Sequence, residues 1–166
     1  MAQKASVRVQ STRLGTLGGI YAFRACSQGF RDSICALAET KLYCLGQLLM
    51  EEGTRGSAQI CYLCAGQVAA ERAGAFVAEL GHGVSFGDLE TFGAAEAARV
   101  SVRALGFCVT LEVPRPGFQM ACLRTEEHTF ETLLKQGENA PCHGPRWAAA
   151  ADMPPGFGYS LNALAD

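Results

Sequence analysis

Cys61 and Cys64, three residues apart, form the densest soft-ligand spacing in the chain. A Cys-x-x-Cys pair serves three chemistries: it holds zinc, runs thiol–disulfide exchange, or packs as two small apolar side chains. Zinc requires three or four ligands at about 2.0–2.3 Å. The other dense pair is Cys142-His143, so Cys61, Cys64, Cys142 and His143 make a Cys3His set. Two features weigh against zinc. The first pair lies among Ile60, Tyr62 and Leu63 rather than on a glycine knuckle, and the second has adjacent ligands. Exchange chemistry needs a thiolate favoured by a helix N-terminus or a cation, and the Trp and Pro of thioredoxin-like motifs are absent around the pair.

A second chemistry is nucleophilic. Cys142 lies in a Pro- and Gly-flanked loop, where a functional thiol is tolerated. Adjacent side chains seldom face each other, so its base would be His82 or His128 rather than His143. His82 stands in Gly81-His82-Gly83, which suits a site loop and equally a helix C-cap. His128 has Glu127 and Glu131 beside it, as a solvated ion-paired histidine would. Cys26, Cys35, Cys44, Cys108 and Cys122 fall in apolar-periodic stretches and read as packing. Gly15, Gly18 and Gly19 fit no phosphate-cradling glycine motif.

These residues need elements to position them. Residues 5–10 alternate as a half-buried strand, and residues 20–26 read as a second. Across residues 30–52 the apolar positions recur at three and four, which predicts an amphipathic helix ending at Gly53. Residues 67–80 predict a second helix, and residues 59–65 either begin it or form a buried strand. A helical turn is expected over residues 94–99. Residues 100–105, 107–113 and 118–123 alternate as strands, with a turn at Pro114-Arg115-Pro116-Gly117. Thr125 caps a short helix that ends at Gly137. The fold class expected is α+β: an antiparallel sheet with a pair of longer helices packed on one face, and a Pro-rich C-terminal tail. Residues 1–137 form the domain, and residues 138–166 an extended tail on it or on a neighbouring subunit.

Composition bounds the function. The 166 residues are 49% apolar and 18% charged, which fits one packed domain. A net charge of −2, with scattered arginines, gives no nucleic-acid footprint. No signal-like or membrane-length apolar stretch occurs, so a soluble cytoplasmic protein with reduced thiols is expected. The low charge density favours a homo-oligomer. No stretch carries a complete family motif. The chain reads first as a binding or assembly module with an apolar pocket or interface for a small ligand or partner. The alternatives are an enzyme with a Cys/His centre and a zinc protein.

Overall fold

The structure is a computed structural model that describes Phe23 and residues 26–55, 59–92 and 95–125. Helix α1 (Gln28–Leu37) starts at Ser27, whose hydroxyl accepts from the Phe30 N–H at 3.2 Å and so satisfies a free donor of the first turn. Phe30, Ile34 and Cys35 are its buried face. The helix expected over residues 30–52 stops here, because Ala38 is extended and strand β1 (Glu39–Tyr43) follows at once. The leucines that prolong the helical period, Leu42, Leu45 and Leu48, are 61%, 74% and 39% exposed, so they mark no core stripe. Leu48 opens the short strand β2 (Leu48–Met50).

Strand β3 (Gln59–Ala65) is buried on both faces: Ile60 packs with the helices, while Cys61 and Leu63 face the other sheet. A doubly buried strand is an unbroken apolar run, which periodicity cannot separate from a helix. The helix expected over residues 67–80 is a hairpin of β4 (Val68–Arg72) and β5 (Ala75–Leu80). Its two turn residues, Ala73 and Gly74, have φ of +50° and +75°, as a type I′ turn demands. Ala69 and Ala73 filled out the helical pattern, and two of its larger members, Phe76 and Val77, are exposed.

Strand β6 (Ser85–Phe86) and the five-residue helix α2 (Asp88–Phe92) follow. The strands expected over residues 100–105 and 107–113 match β7 (Ser101–Ala104) and β8 (Cys108–Pro114). No helical turn forms over residues 95–99. The turn and strand expected over residues 114–123 are instead helix α3 (Arg115–Thr125). Pro116 is tolerated because the first helical turn has no N–H bond to lose. Phe118 and Ala121, three apart, are buried. The strand expected over residues 5–10, most of that over 20–26, the helix after Thr125 and the tail lie outside the described residues.

The described strands make two four-stranded sheets, in the orders β1-β8-β3-β6 and β2-β7-β4-β5, with every pairing antiparallel. They face each other as a jelly-roll sandwich. Leu63, Phe86 and Cys108 of one sheet share an interior with Leu49, Val68 and Val102 of the other. A second core covers the outer face of the first sheet, where α1 and α3 pack Phe30, Ile34 and Phe118 over Ile60, Leu111 and Val113. Antiparallel strands with a helix pair on one face are therefore present. The pair is α1 and α3 rather than the two long helices expected, and the sheet is half of a sandwich.

Candidate functional site

The β6–α2 corner builds one wall of a cavity. Gly87 has φ of +78°, and a Cβ there would overlap the Gln59 carbonyl oxygen, so the corner sits directly on β3. The Thr91 hydroxyl donates to the Gly87 carbonyl at 2.7 Å and closes the turn of α2. This short helix then presents two groups. Glu90 lines the cavity, and Phe92 enters the outer core, its ring centroid 5.1 Å from that of Phe118 on α3.

The cavity has a volume of about 520 Å³, within the usual range for small-molecule sites. Leu49, Met50 and Ala98 supply apolar wall, and Gln59, Glu90 and Arg115 supply polar groups. Arg115 is the first residue of α3, so the cavity touches that helix directly.

Glu90 is 9% exposed, and its Oε2 has no hydrogen-bond partner among the described residues. Burial pushes its carboxyl above the usual range. Backbone N–H groups and the Arg99 charge oppose that push, and Asp88 adds to it. Behind the Cys61 wall lies a second buried carboxylate, Glu112, 1% exposed. It is well served: Tyr43 Oη and Thr110 Oγ1 donate to Oε1 at 2.7 and 2.8 Å, and Lys41 Nζ lies 2.7 Å from Oε2. The Lys41 pKa rises through its bond to Glu112, and that of Tyr43 rises through burial and the same carboxylate. Burial, then Glu112, pushes the Cys61 thiol well up. A thiol held neutral in this way is a poor nucleophile and a poor metal ligand.

The structure separates the cysteine pair. On a strand, residues three apart point to opposite faces: Cys61 is buried in the sandwich and Cys64 is exposed. The helix face on which both thiols would meet one ion does not exist. Among the described residues no three His, Cys, Asp or Glu side chains are grouped to hold a metal. His82 is exposed in the turn between β5 and β6 rather than at a helix end. Cys142, His143 and His128 lie outside the described residues. Of the five cysteines read as packing, Cys26, Cys35 and Cys108 are buried and Cys122 packs at a core edge, but Cys44 is exposed. Cys61 lines the cavity, though as wall rather than as a ligand; the other cavity residues were not anticipated. The available signal was Gly87 between an apolar strand and Asp88 and Glu90: a backbone corner followed at once by carboxylates in apolar surroundings.

Residues 40–125, just over half of the chain, match the model of the cyclic nucleotide-binding domain. The chain belongs to the cyclic nucleotide-binding domain family. Every residue lining the cavity falls within the matched segment. A search of curated proteins finds no match. Among solved structures, the regulatory domain of Toxoplasma gondii PKA with cAMP is similar at a TM-score of 0.65 and 18% identity, over 82% of this chain and 52% of that one. The C-linker/CNBHD of zELK channels, crystallised in the presence of cAMP, gives a TM-score of 0.62 at 18% identity, over 74% and 62%. The regulatory subunit of a cAMP-independent protein kinase A from Trypanosoma brucei gives 0.63 at 19%, over 82% and 48%. At such identities the likeness is one of fold. This chain spans between 48% and 62% of the length of these three. Membership makes this cyclic nucleotide-binding domain a small-ligand-binding type of module. Among its described residues no helix is long and apolar enough to cross a membrane.

Proposed function

We propose that the domain is a ligand-operated regulatory module, in which a small organic molecule in the cavity sets the position of α3. The carrying observation is the cavity of about 520 Å³ inside the family-matched segment, with the first residue of α3 in its wall. A ligand shifts a conformational equilibrium only through contacts that differ between the two states. Two such contacts are available. Arg115 reaches the cavity from α3, and α2 links Glu90 to Phe118 through Phe92. The similar structures support the reading, since they come from kinase regulatory subunits and channels, both crystallised with cAMP and described as independent of it.

The test is thermal denaturation with a panel of cyclic nucleotides and nucleosides, on the wild type and on Ala95→Trp, which fills the cavity. A raised Tm with at least one compound, lost in the variant, supports the reading. No shift with any compound overturns it.

A further inference from the structure

Four turns meet at one end of the sandwich: β1–β2, β3–β4, β5–β6 and β7–β8. Backbone bonds tie them together. The Gly46 N–H donates to the Ala104 carbonyl at 2.8 Å, the Leu105 N–H to the Gln67 carbonyl at 2.9 Å, and the Gly83 N–H to the Leu63 carbonyl at 2.8 Å. The cavity reaches the opposite end, at Gln59 where β3 begins and at Arg115 just past the end of β8.

These turns and their flanking strands carry almost no charge. Residues 42–50, 59–70, 80–87 and 104–111 hold one histidine, His82, and no Asp, Glu, Lys or Arg, in a chain that is 18% charged. The charges that border these runs are engaged or turned aside. Arg103 is bonded to Glu71 and to the Gly46 carbonyl, and Lys41 to Glu112. Glu79 is opposite Ala69, on the outer face of the second sheet.

From this uncharged end project Leu42, Leu45, Leu105 and Phe107, at 61%, 74%, 40% and 62% exposure. Leu42 is opposite Val109, and Phe107 lies two residues before Val109, so the two are diagonal neighbours across the β1–β8 ladder. Leu45 and Leu105 occupy turns joined by the Gly46–Ala104 bond. Together the four expose on the order of 400 Å² of apolar surface, a patch of the size that marks an interaction site. A stable dimer buries about 800 Å² per partner, roughly 60% of it apolar. The patch supplies most of that apolar share, and the exposed Gln47 and Gln67 of the same turns border it with uncharged polar surface.

Charge selects the partner. A twofold contact sets a surface against its own image, so any net charge on it meets like charge. This chain has a net charge of −2, and the four-turn end is where that self-repulsion is absent. A lipid surface draws on lysine and arginine near the inserted apolar groups, and here the two bordering cations are held by carboxylates.

We propose that the four-turn end is a twofold interface between two copies of this chain, with Leu45 and Phe107 in its core. The cavities then sit at the far ends of the dimer, and both stay open.

The experiment is analytical ultracentrifugation of the full chain from low micromolar to near-millimolar concentration. The wild type, Leu45→Glu, Phe107→Glu and Phe76→Lys are compared. Phe76 is an exposed aromatic beside the β4–β5 turn, outside the patch. Thermal unfolding of each dilute protein reports its folding. The wild-type mass should rise with concentration towards twice the chain's 17.6 kDa. Each glutamate should weaken self-association at least about a hundredfold, because it meets like charge across the axis. Phe76→Lys should associate as the wild type does. Cys44, next to Leu45, should label freely in dilute protein and more slowly as the dimer fills. A wild type that stays at the single-chain mass overturns the proposal. Its flotation with phosphatidylcholine vesicles would then assign the patch to lipid, and a lower Tm in Phe107→Glu would assign it to another segment of the same chain. A dimer that survives both glutamates, or that only Phe76→Lys dissociates, overturns this face as the interface. Growth past twice the chain mass overturns the twofold.

Discussion

The rings of Phe92 and Phe118 lie 5.1 Å apart between centroids, and this contact joins the cavity wall to the last described helix. Phe118 is fully buried and also meets Phe23 and Phe30, at 6.4 and 6.0 Å. One side chain therefore holds α1, α2 and α3 together over the first sheet.

Phe118→Ala should cost about 3–5 kcal/mol, the usual penalty for emptying a fully buried phenylalanine site. Urea unfolding measures it. A loss below about 1 kcal/mol would show that the helix layer contributes little to stability.

Glu90→Gln should stabilise the free protein at pH 7 by about 1 kcal/mol, since it removes a buried carboxylate with an unpartnered oxygen. The sign with pH follows from the raised folded pKa. Below the ordinary carboxylate range, both states of the chain hold the proton and nothing is lost. As pH rises from that range through the folded value, the unfolded chain releases its proton more readily, so stability falls. Above the folded value it is level. Asp88 and Arg99 act on the same group, so the glutamine variant is compared with wild type at each pH. Tm measured from pH 4 to 8 should fall less in Glu90→Gln than in wild type.

Ala73→Asn should raise stability by about 1 kcal/mol. Ala73 holds φ of +50°, a conformation unfavourable for alanine and easier for asparagine, and Asn-Gly is the preferred type I′ pair. Its N–H bond to Glu52 Oε2, at 2.6 Å, is a backbone bond and survives the change. The urea midpoint should rise with the slope unchanged.

Thiol labelling followed by peptide mapping should find Cys44 and Cys64 reactive in the folded protein, and Cys26, Cys35, Cys61 and Cys108 protected until unfolding. Cys64 should react more slowly than Cys44 near pH 7, because partial burial pushes its thiol up and leaves less thiolate. Fast labelling of Cys61 would contradict the packing of β3.

The parts of this fold that could be read from sequence are those whose local pattern and tertiary burial agree. β7 and β8 alternate and lie where alternation places them, and α1 begins close to the expected Phe30, with Ser27 as its cap. Elsewhere burial overrides the pattern. β3 is covered on both faces and loses its alternation. The β4–β5 hairpin turns on Ala-Gly, and its alanines fit a helix as readily as a strand. In α3 the proline and glycine of the first turn resemble a loop signal. The candidate site was legible only as chemistry that the fold does not assemble. Cys61 and Cys64 have ligand spacing on a helix and lie on opposite faces of the strand they occupy. The residues around the cavity come from β2, β3, α2, the connection to β7 and the start of α3, and no local spacing in the chain brings those together.

Glu112 gives the first sheet a means of rejecting misalignment. Among the described residues β1 is an edge strand held by β8 alone, with Lys41 opposite Thr110 and Tyr43 opposite Cys108. A slip of one residue would turn Lys41 and Tyr43 to the far face. Glu112 would then be buried without its cation and without one of its donors, at a cost of several kcal/mol. An apolar residue at this position would accept either alignment. The carboxylate makes one of them far less stable, so the network acts as error correction for a strand with one neighbour among the described residues.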